Sequence, residues 1–386
     1  MGSGHSHGHA APTPVEPRTR LILTILLAPA LLVTIFGLFA LWPDAAAVPD
    51  RAPVEFEDAH RVVVTVVGPR DDVTDTVPVR SGDTVTLMRA PDPSIELEPG
   101  DRVVAVGSPT DAEAGVPYWF FDFERETPLA LLVGAFVLVV LLVARWRGLT
   151  ALLGLGFAFL LFVHFTIPAL LAAQNALAVA LVTSSAVMFV VLYLAHGFTA
   201  RTSSAMLGTL AGLAMTTGIG AWAVDAAGVT GANSTTEMWL PRIAPGVSLP
   251  EIALCGLVIA GMGVLNDVTI TQASTVWELR EAAPDASRGE LFARGMRIGR
   301  DHIASTVYTM AYAYAGAALA VLMNLWLIDQ PLLHALTSGQ IAEEIVRTLV
   351  ASIGLVLAIP ATTAISVFVA PGPAGAAVTA PGSAAG

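Results

Sequence analysis

Asn266 and Asp267 stand side by side in the run Gly256 to Glu278, GLVIAGMGVLNDVTITQASTVWE, whose first half is apolar enough to lie in a lipid bilayer. Thr269, Thr271, Gln272, Ser274 and Thr275 follow them closely. On a helix, which advances about 100° per residue, Gly256, Ala260, Gly263, Asp267, Thr271, Ser274 and Glu278 share one narrow stripe. A carboxylate at membrane depth costs roughly 2.5–3.5 kcal/mol on insertion scales, so it faces protein or water and marks an ion or proton path. The alternative is a helix that packs by its small residues and carries its polar end into the cytoplasm.

A second polar group lies in ARGMRIGRDHIAST, Ala293 to Thr306, the only strongly basic loop. Asp301 falls where the next helix begins, so it suits the positive end of that helix dipole. Asp301, Ser305, Tyr308 and Tyr312 then share a face, with His302, Thr306 and Thr309 on the adjoining one. Two consecutive spans with polar faces predict a shared polar cavity lined by Asn266, Asp267, Thr271, Ser274, Glu278, Asp301, His302, Tyr308 and Tyr312. An inside-positive loop, a first-turn acid and interface tyrosines make the plainer alternative.

Other chemistry is thin. His5, His7 and His9 alternate on a Pro-rich N-terminal tail, where they offer a weak metal site or plain disorder. No cofactor is implied. Neither an HExxH zinc motif nor a GxSxG elbow occurs. An aspartyl dyad of Asp267 and Asp301 needs carboxylates that nearly touch. Asp267 stands roughly 15–20 Å above the cytoplasmic end of its helix, at about 1.5 Å per residue, whereas Asp301 starts its helix at that edge. The reading is therefore non-enzymatic. Asn233-Ser234-Thr235 matches a glycosylation sequon, a match common by chance.

The elements that position these residues follow from composition. Of 386 residues, 55% are hydrophobic and 13% charged, and mean hydropathy is +0.70, values of a polytopic membrane protein. All 19 basic residues are Arg, and between Asp44 and Thr127 there are 18 acids against 7 Arg, so the excess acid sits in one insert. A basic nucleic-acid footprint is absent. Cys255 is the lone cysteine and lies in an apolar run, which excludes an intramolecular disulfide.

Apolar spans are predicted at Leu21–Trp42, Pro128–Arg145, Leu149–Leu171, Ala176–His196, Ser203–Ala227, Leu249–Thr275, His302–Ile328 and Ile341–Val369, about eight transmembrane helices. Ala45, Ala46 and Ala47 resemble a cleavage site, but the first apolar run is longer than a signal peptide's, so an anchor is expected. Arg18, Arg20, Arg145, Arg147, Arg201, Arg280, Arg288, Arg294, Arg297 and Arg300 alternate to one side, which makes that side the cytoplasm. Residues 44–127 are then extracytoplasmic. Their β-branched runs Arg61–Val67, Thr84–Met88 and Asp101–Val106, launched in two cases by Ser81-Gly82-Asp83 and Pro99-Gly100-Asp101, predict a small β-barrel or sandwich, OB-like in pattern. Tyr118–Phe123 reads as an aromatic tail at the membrane interface. The domains are 1–20, a disordered cytoplasmic N-terminus; 21–42, the first span; 44–127, the β domain; 128–369, seven helices; and 370–386, a disordered tail.

Three stretches carry a family resemblance: Gly197-Phe-Thr-Ala-Arg201-Thr-Ser-Ser-Ala205, Gly261-Met-Gly-Val-Leu-Asn266-Asp267 with Ala273-Ser274, and Gly295-Met-Arg-Ile-Gly299-Arg300-Asp301. Together with the outside β domain they resemble the YibE/F-like membrane proteins over roughly Leu21 to Phe368. Gly295, Gly299 and Arg300 belong to that family's most distinctive, cytoplasmic block. The resemblance implies a polytopic, permease-like protein of undefined substrate. The arginine positions put both termini in the cytoplasm, and the expected location is the plasma membrane, multi-pass. Its partners are then the bilayer and an unknown small solute or ion. The alternative is a scaffold or sensor whose β domain binds a protein partner.

Overall fold

The computed structural model describes residues 17–50, 60–107, 115–233 and 235–372, and the chain divides into two compact units, 50–149 and the remainder. The alternating histidines and residues 373–386 of the C-terminal tail lie outside the described residues.

In the unit 50–149, β1 (His60–Val66), β2 (Thr76–Ser81), β3 (Thr84–Arg89), β4 (Arg102–Gly107) and β5 (Tyr118–Phe123) close a barrel in the order β1-β2-β3-β5-β4. Alternation sends Val64, Val66, Val77, Val79, Met88, Val103 and Ala105 inward, where all are buried. A two-residue turn, Gly82-Asp83, joins β2 to β3, and Gly82 takes the positive φ of 60° that this turn needs. Asp71 caps the preceding loop: its carboxylate accepts the Val73 and Thr74 N–H groups, and those bonds hold it below the usual carboxylate range. Two strands depart from expectation. β2 is not among the predicted runs; its Pro78 pairs in register with Leu87 and accepts the Val67 N–H at 3.0 Å. Tyr118–Phe123 is the closing strand, parallel to β3 and antiparallel to β4, rather than a tail.

β5 runs through two residues into α2 (Glu126–Leu161), which together with a π-helical turn at Phe162–Thr166 and α3 (Ile167–Leu171) forms 46 residues of apolar helix. At about 1.5 Å per residue that is more than twice the roughly 30 Å of a bilayer core. Arg145 interrupts it with φ 52° and ψ −128°. A Cβ on Gly148 would fall 2.5 Å from the Val140 carbonyl oxygen and 3.1 Å from the Ala144 methyl, so the chain folds back at Arg145 onto the turn before it.

In the other unit, α1 (Pro17–Ala40), α4 (Ala176–His196), α5 (Ala200–Ala226), α6 (Thr235–Ile243), α7 (Leu249–Ala282), α8 (Arg288–Ala317), α9 (Leu319–Leu327), α10 (Leu332–Leu336) and α11 (Gly339–Val369) make a helical bundle. Among the described residues six helices are long and apolar enough to cross a membrane, or seven if α8 and α9, bent by 63°, count as one span. The expected eight differ because the second and third fall within the 46-residue run.

The bundle's tightest seam joins α5 to α11. Ser204, Gly208, Gly212, Thr216 and Gly220 recur every fourth residue on α5; Val350, Gly354, Ala358, Thr362 and Ser366 do so on α11. The helices run antiparallel, so Gly208 meets Thr362, Gly212 meets Ala358, and Thr216 fills the space at Gly354. Without a hydrophobic drive between helices in lipid, such small-residue seams let backbones approach and gain dispersion contact. Thr209 on α5 bonds Thr269 on α7 at 2.6 Å, and Leu265 covers Gly212, which seats α7 on the same pair. Leu23, Ala200, Trp277 and Val369 cluster at one end, so the N-termini of α1 and α5 and the C-termini of α7 and α11 meet there.

Any side chain added at Gly208 or Gly354 must push the seam apart, so Gly208→Val and Gly354→Val are each expected to cost about 1–3 kcal/mol. Gly256→Val and Gly263→Val, where a Cβ meets nothing within 4 Å, should change stability by no more than about 0.5 kcal/mol. Unfolding in mixed micelles measures both; equal losses in the two sets would deny the seam its place.

Candidate functional site

α7 carries two polar faces, a buried one with Thr269 and Gln272 and an open one with Asp267, Thr271, Ser274 and Glu278. Leu254, Leu257, Val258, Leu265 and Val268 bury one broad side against α5 and α11. The predicted stripe lies on the side the bundle leaves open. Gly256, Gly263, Asp267, Thr271 and Glu278 are exposed, and Ala260 and Ser274 half-buried. Asn266, next round the helix, is half-buried with its side-chain oxygen enclosed and without a hydrogen-bond partner among the described residues. Asp267 lies close to the middle of the 34-residue helix, with about 27 Å of helix before it and 22 Å after, at 1.5 Å per residue.

α8 starts at Arg288, so the basic stretch Ala293–Thr306 is helix rather than loop, and Asp301 lies well inside α8 rather than at its first turn. Asp301, Ser305, Tyr308 and Tyr312 are likewise exposed, and His302 is half-buried with Nε2 enclosed and without a partner among the described residues. No hydrogen bond or ion pair joins Asp267 to Asp301 among the described residues. Glu278 instead faces Arg201 at 3.8 Å, linking the end of α7 to the start of α5. The pair is largely solvated, so its worth is under about 1 kcal/mol.

The glycine block acts through α8's other face. Gly295 and Gly299 are buried while Arg300 is exposed. The Gln272 amide donates to the Gly295 carbonyl at 2.9 Å and to Thr363 Oγ1 at 2.7 Å, joining α7, α8 and α11 through one side chain. A Cβ on Gly299 would lie 2.7 Å from Ile359 Cγ2, so glycine is what lets α8 approach. Ser287 begins α8 with a capping box: its hydroxyl accepts the Glu290 N–H at 3.2 Å, and the Glu290 carboxylate accepts the Ser287 N–H at 2.8 Å.

The interior of the bundle is polar in a way the acid-centred reading overlooked. Thr183, Ser184, Thr209, Thr216, Thr269, Gln272, Thr362, Thr363 and Ser366 are all buried. Thr363 returns its proton to the Ile359 carbonyl, but the hydroxyls of Ser184, Thr216, Thr217 and Thr362 lack partners among the described residues. The signal was present as the four-residue recurrence on α5 and α11. At the opposite end, Asn233 donates to Glu343 at 2.5 Å, and Arg347 bridges Glu343 and Glu344 at 2.8 and 3.0 Å. The sequon asparagine is thereby occupied in a side-chain network.

The glycine blocks and the Asp-bearing helix lie within residues 132–372, and that region matches the family described as YibE/F-like protein. The chain belongs to the YibE/F-like family. The apolar helices of this YibE/F-like chain suggest a multi-pass membrane protein. No curated protein and no solved structure matches it. Within the matched region, Gly197 ends α4 with φ 75°, Phe198 stacks on Tyr193 at 4.8 Å, and Thr199 accepts the Thr202 N–H to start α5. The family's first block is thus a tight interhelical corner. Its third block is the docking surface of α8.

Gln272→Leu removes both bonds and leaves the Gly295 carbonyl with its intrahelical partner alone. Interhelical bonds in membranes average about 0.6 kcal/mol and reach about 1.7, so a loss of roughly 1–2 kcal/mol is expected. Hydrogen–deuterium exchange should rise over residues 288–303 with little change over 254–260. Unaltered exchange in the first stretch would refute this anchoring role.

Proposed function

We propose that this YibE/F-like chain is a permease-like transporter of a small solute or ion, in the plasma membrane, with a polar path that runs along the open face of α7. One observation carries the reading: the Asp267 carboxylate stands at mid-length of a spanning helix, on the side the bundle does not cover. A charge at that depth is expensive in lipid, so water or a moving solute must reach it. Asn266, Thr271 and Ser274 extend the polar surface along α7, and Asp301, His302, Tyr308 and Tyr312 on α8 supply a second polar wall. No covalent step is assigned to these residues.

The arrangement proposed has eight crossings, with the fold-back at Arg145 dividing the long run into two. Both termini are cytoplasmic and the barrel extracytoplasmic. The clustering of helix ends that carry Arg18, Arg20, Arg201 and Arg280 supports this orientation. The second reading, a scaffold whose barrel binds a partner, is favoured by a cleft of about 280 Å³ between Arg70, Val77, Pro91, Pro93, Ile95 and Leu97 and two glutamates.

Two experiments separate these readings. In a Cys255→Ser background, Ser81→Cys should react with an impermeant maleimide on intact cells; reaction only after lysis would reverse the orientation. In proteoliposomes carrying trapped pH and potential dyes, Asp267→Asn should abolish coupled flux while inserting normally, and Asp301→Asn should reduce it less. Asp267→Leu should insert at least as well as the parent. Wild-type flux and pH dependence in both Asp267 variants would eliminate the coupling role and leave the stripe to packing.

A further inference from the structure

The barrel's charge is sorted by position. Its five strands contain one acid, Asp122, and that carboxylate is held by Arg125 at 2.6 Å. Arg61, Arg80, Arg89 and Arg102, by contrast, all lie in strands. Among the described residues, the remaining acids of the domain occupy turns, loops and flanks. A domain of strong negative charge therefore has a strand surface that is apolar and cationic.

That surface is also aromatic around β5. Trp119 is 45% and Phe121 49% exposed, with Leu87 beside them on β3 and Val63 two strands away on β1. Register makes the patch continuous: Arg89 pairs with Trp119, Trp119 with Val106, and Val106 with Arg61. The Arg89 guanidinium lies 4.7 Å over the Trp119 ring, and that of Arg61 4.2 Å over Phe121. Stacking of this kind holds the guanidinium flat against apolar surface and leaves its edge N–H groups free to bond phosphate.

We propose that this face of the barrel, centred on β5, rests on anionic phospholipid headgroups at the membrane surface. Two observations choose that occupant. The charge is complementary, four strand arginines against one strand acid, Asp122, that Arg125 already holds, beside exposed Trp119 and Phe121, the side-chain mixture that membrane interfaces favour. The surface also adjoins a long apolar segment, since only Glu124 and Arg125 separate β5 from α2, whose residues 126–149 lie in the same compact unit. The inference rests on α2 entering a membrane and is independent of any transport role. Each stacked pair puts its aromatic ring at headgroup depth and its guanidinium on a phosphate oxygen.

The test uses the full chain in nanodiscs, Cys255→Ser, with a nitroxide on Leu87→Cys or Val63→Cys. Asp72→Cys and Val73→Cys, in a turn and 93% and 94% exposed, are aqueous references. Discs contain phosphatidylcholine alone or mixed equally with phosphatidylglycerol. In the mixed discs, labels at 87 and 63 should collide with a soluble nickel chelate at least roughly twofold less than the references, and with oxygen more, as headgroup contact requires. Phosphatidylcholine alone, or Arg61→Gln with Arg89→Gln, should return them toward the references. Nickel access equal to that of Val73→Cys in both discs would overturn the proposal. So would shielding from nickel without gain in oxygen collisions, the pattern of a protein partner or of another part of this chain covering the face.

Discussion

The close approach of α5 and α11 is the contact on which the helical unit depends. Gly208 accommodates Thr362 and Gly354 accommodates Thr216, so each helix supplies a hollow and a filler to the other. In lipid the gain comes from dispersion and buried bonding, and both fall steeply with separation. α7 then seats itself on this pair through Thr209, Thr269 and Leu265, and α8 through Gln272, Gly295 and Gly299. The seam leaves no lumen between α5 and α11.

Because α7 is gripped on its far side, its stripe has nowhere to face but outward. The same rotation that buries Leu265 and Val268 presents Asp267. The two polar systems of α7 thus differ in kind. The inner one is neutral, hydroxyl and amide, and locks helices together. The outer one is charged, with Glu278 facing Arg201 and Asp267 in no ion pair among the described residues, and any function that needs a moving ion or solute falls to it.

The spans were legible because apolar length survives any packing, and the barrel because valine alternation and Gly-Asp turns are local signals. What escaped depends on partners distant in sequence. β2 hid behind Pro78, whose missing N–H matters less once its carbonyl bonds Val67. β5 looked like an interface tail because aromatic residues serve both roles, and its pairing with β3 lies some thirty residues away. The site was legible only in part: Asp267 announced itself by cost, whereas Gln272 was one polar residue among several until Gly295 and Thr363 were placed beside it. The bundle's buried hydroxyls could have been found from their spacing, but spacing alone cannot say which helix faces which.

The order of strands has a mechanical consequence. β5 is bonded on one side to β3 and on the other to β4, so its removal opens both neighbours at once. The same strand is joined to α2 by Glu124 and Arg125 alone. Any pull along α2, from thinning or thickening of the surrounding lipid, therefore reaches the barrel at the one stave whose loss would unseal it. The barrel is hooped by the segment that ties it down.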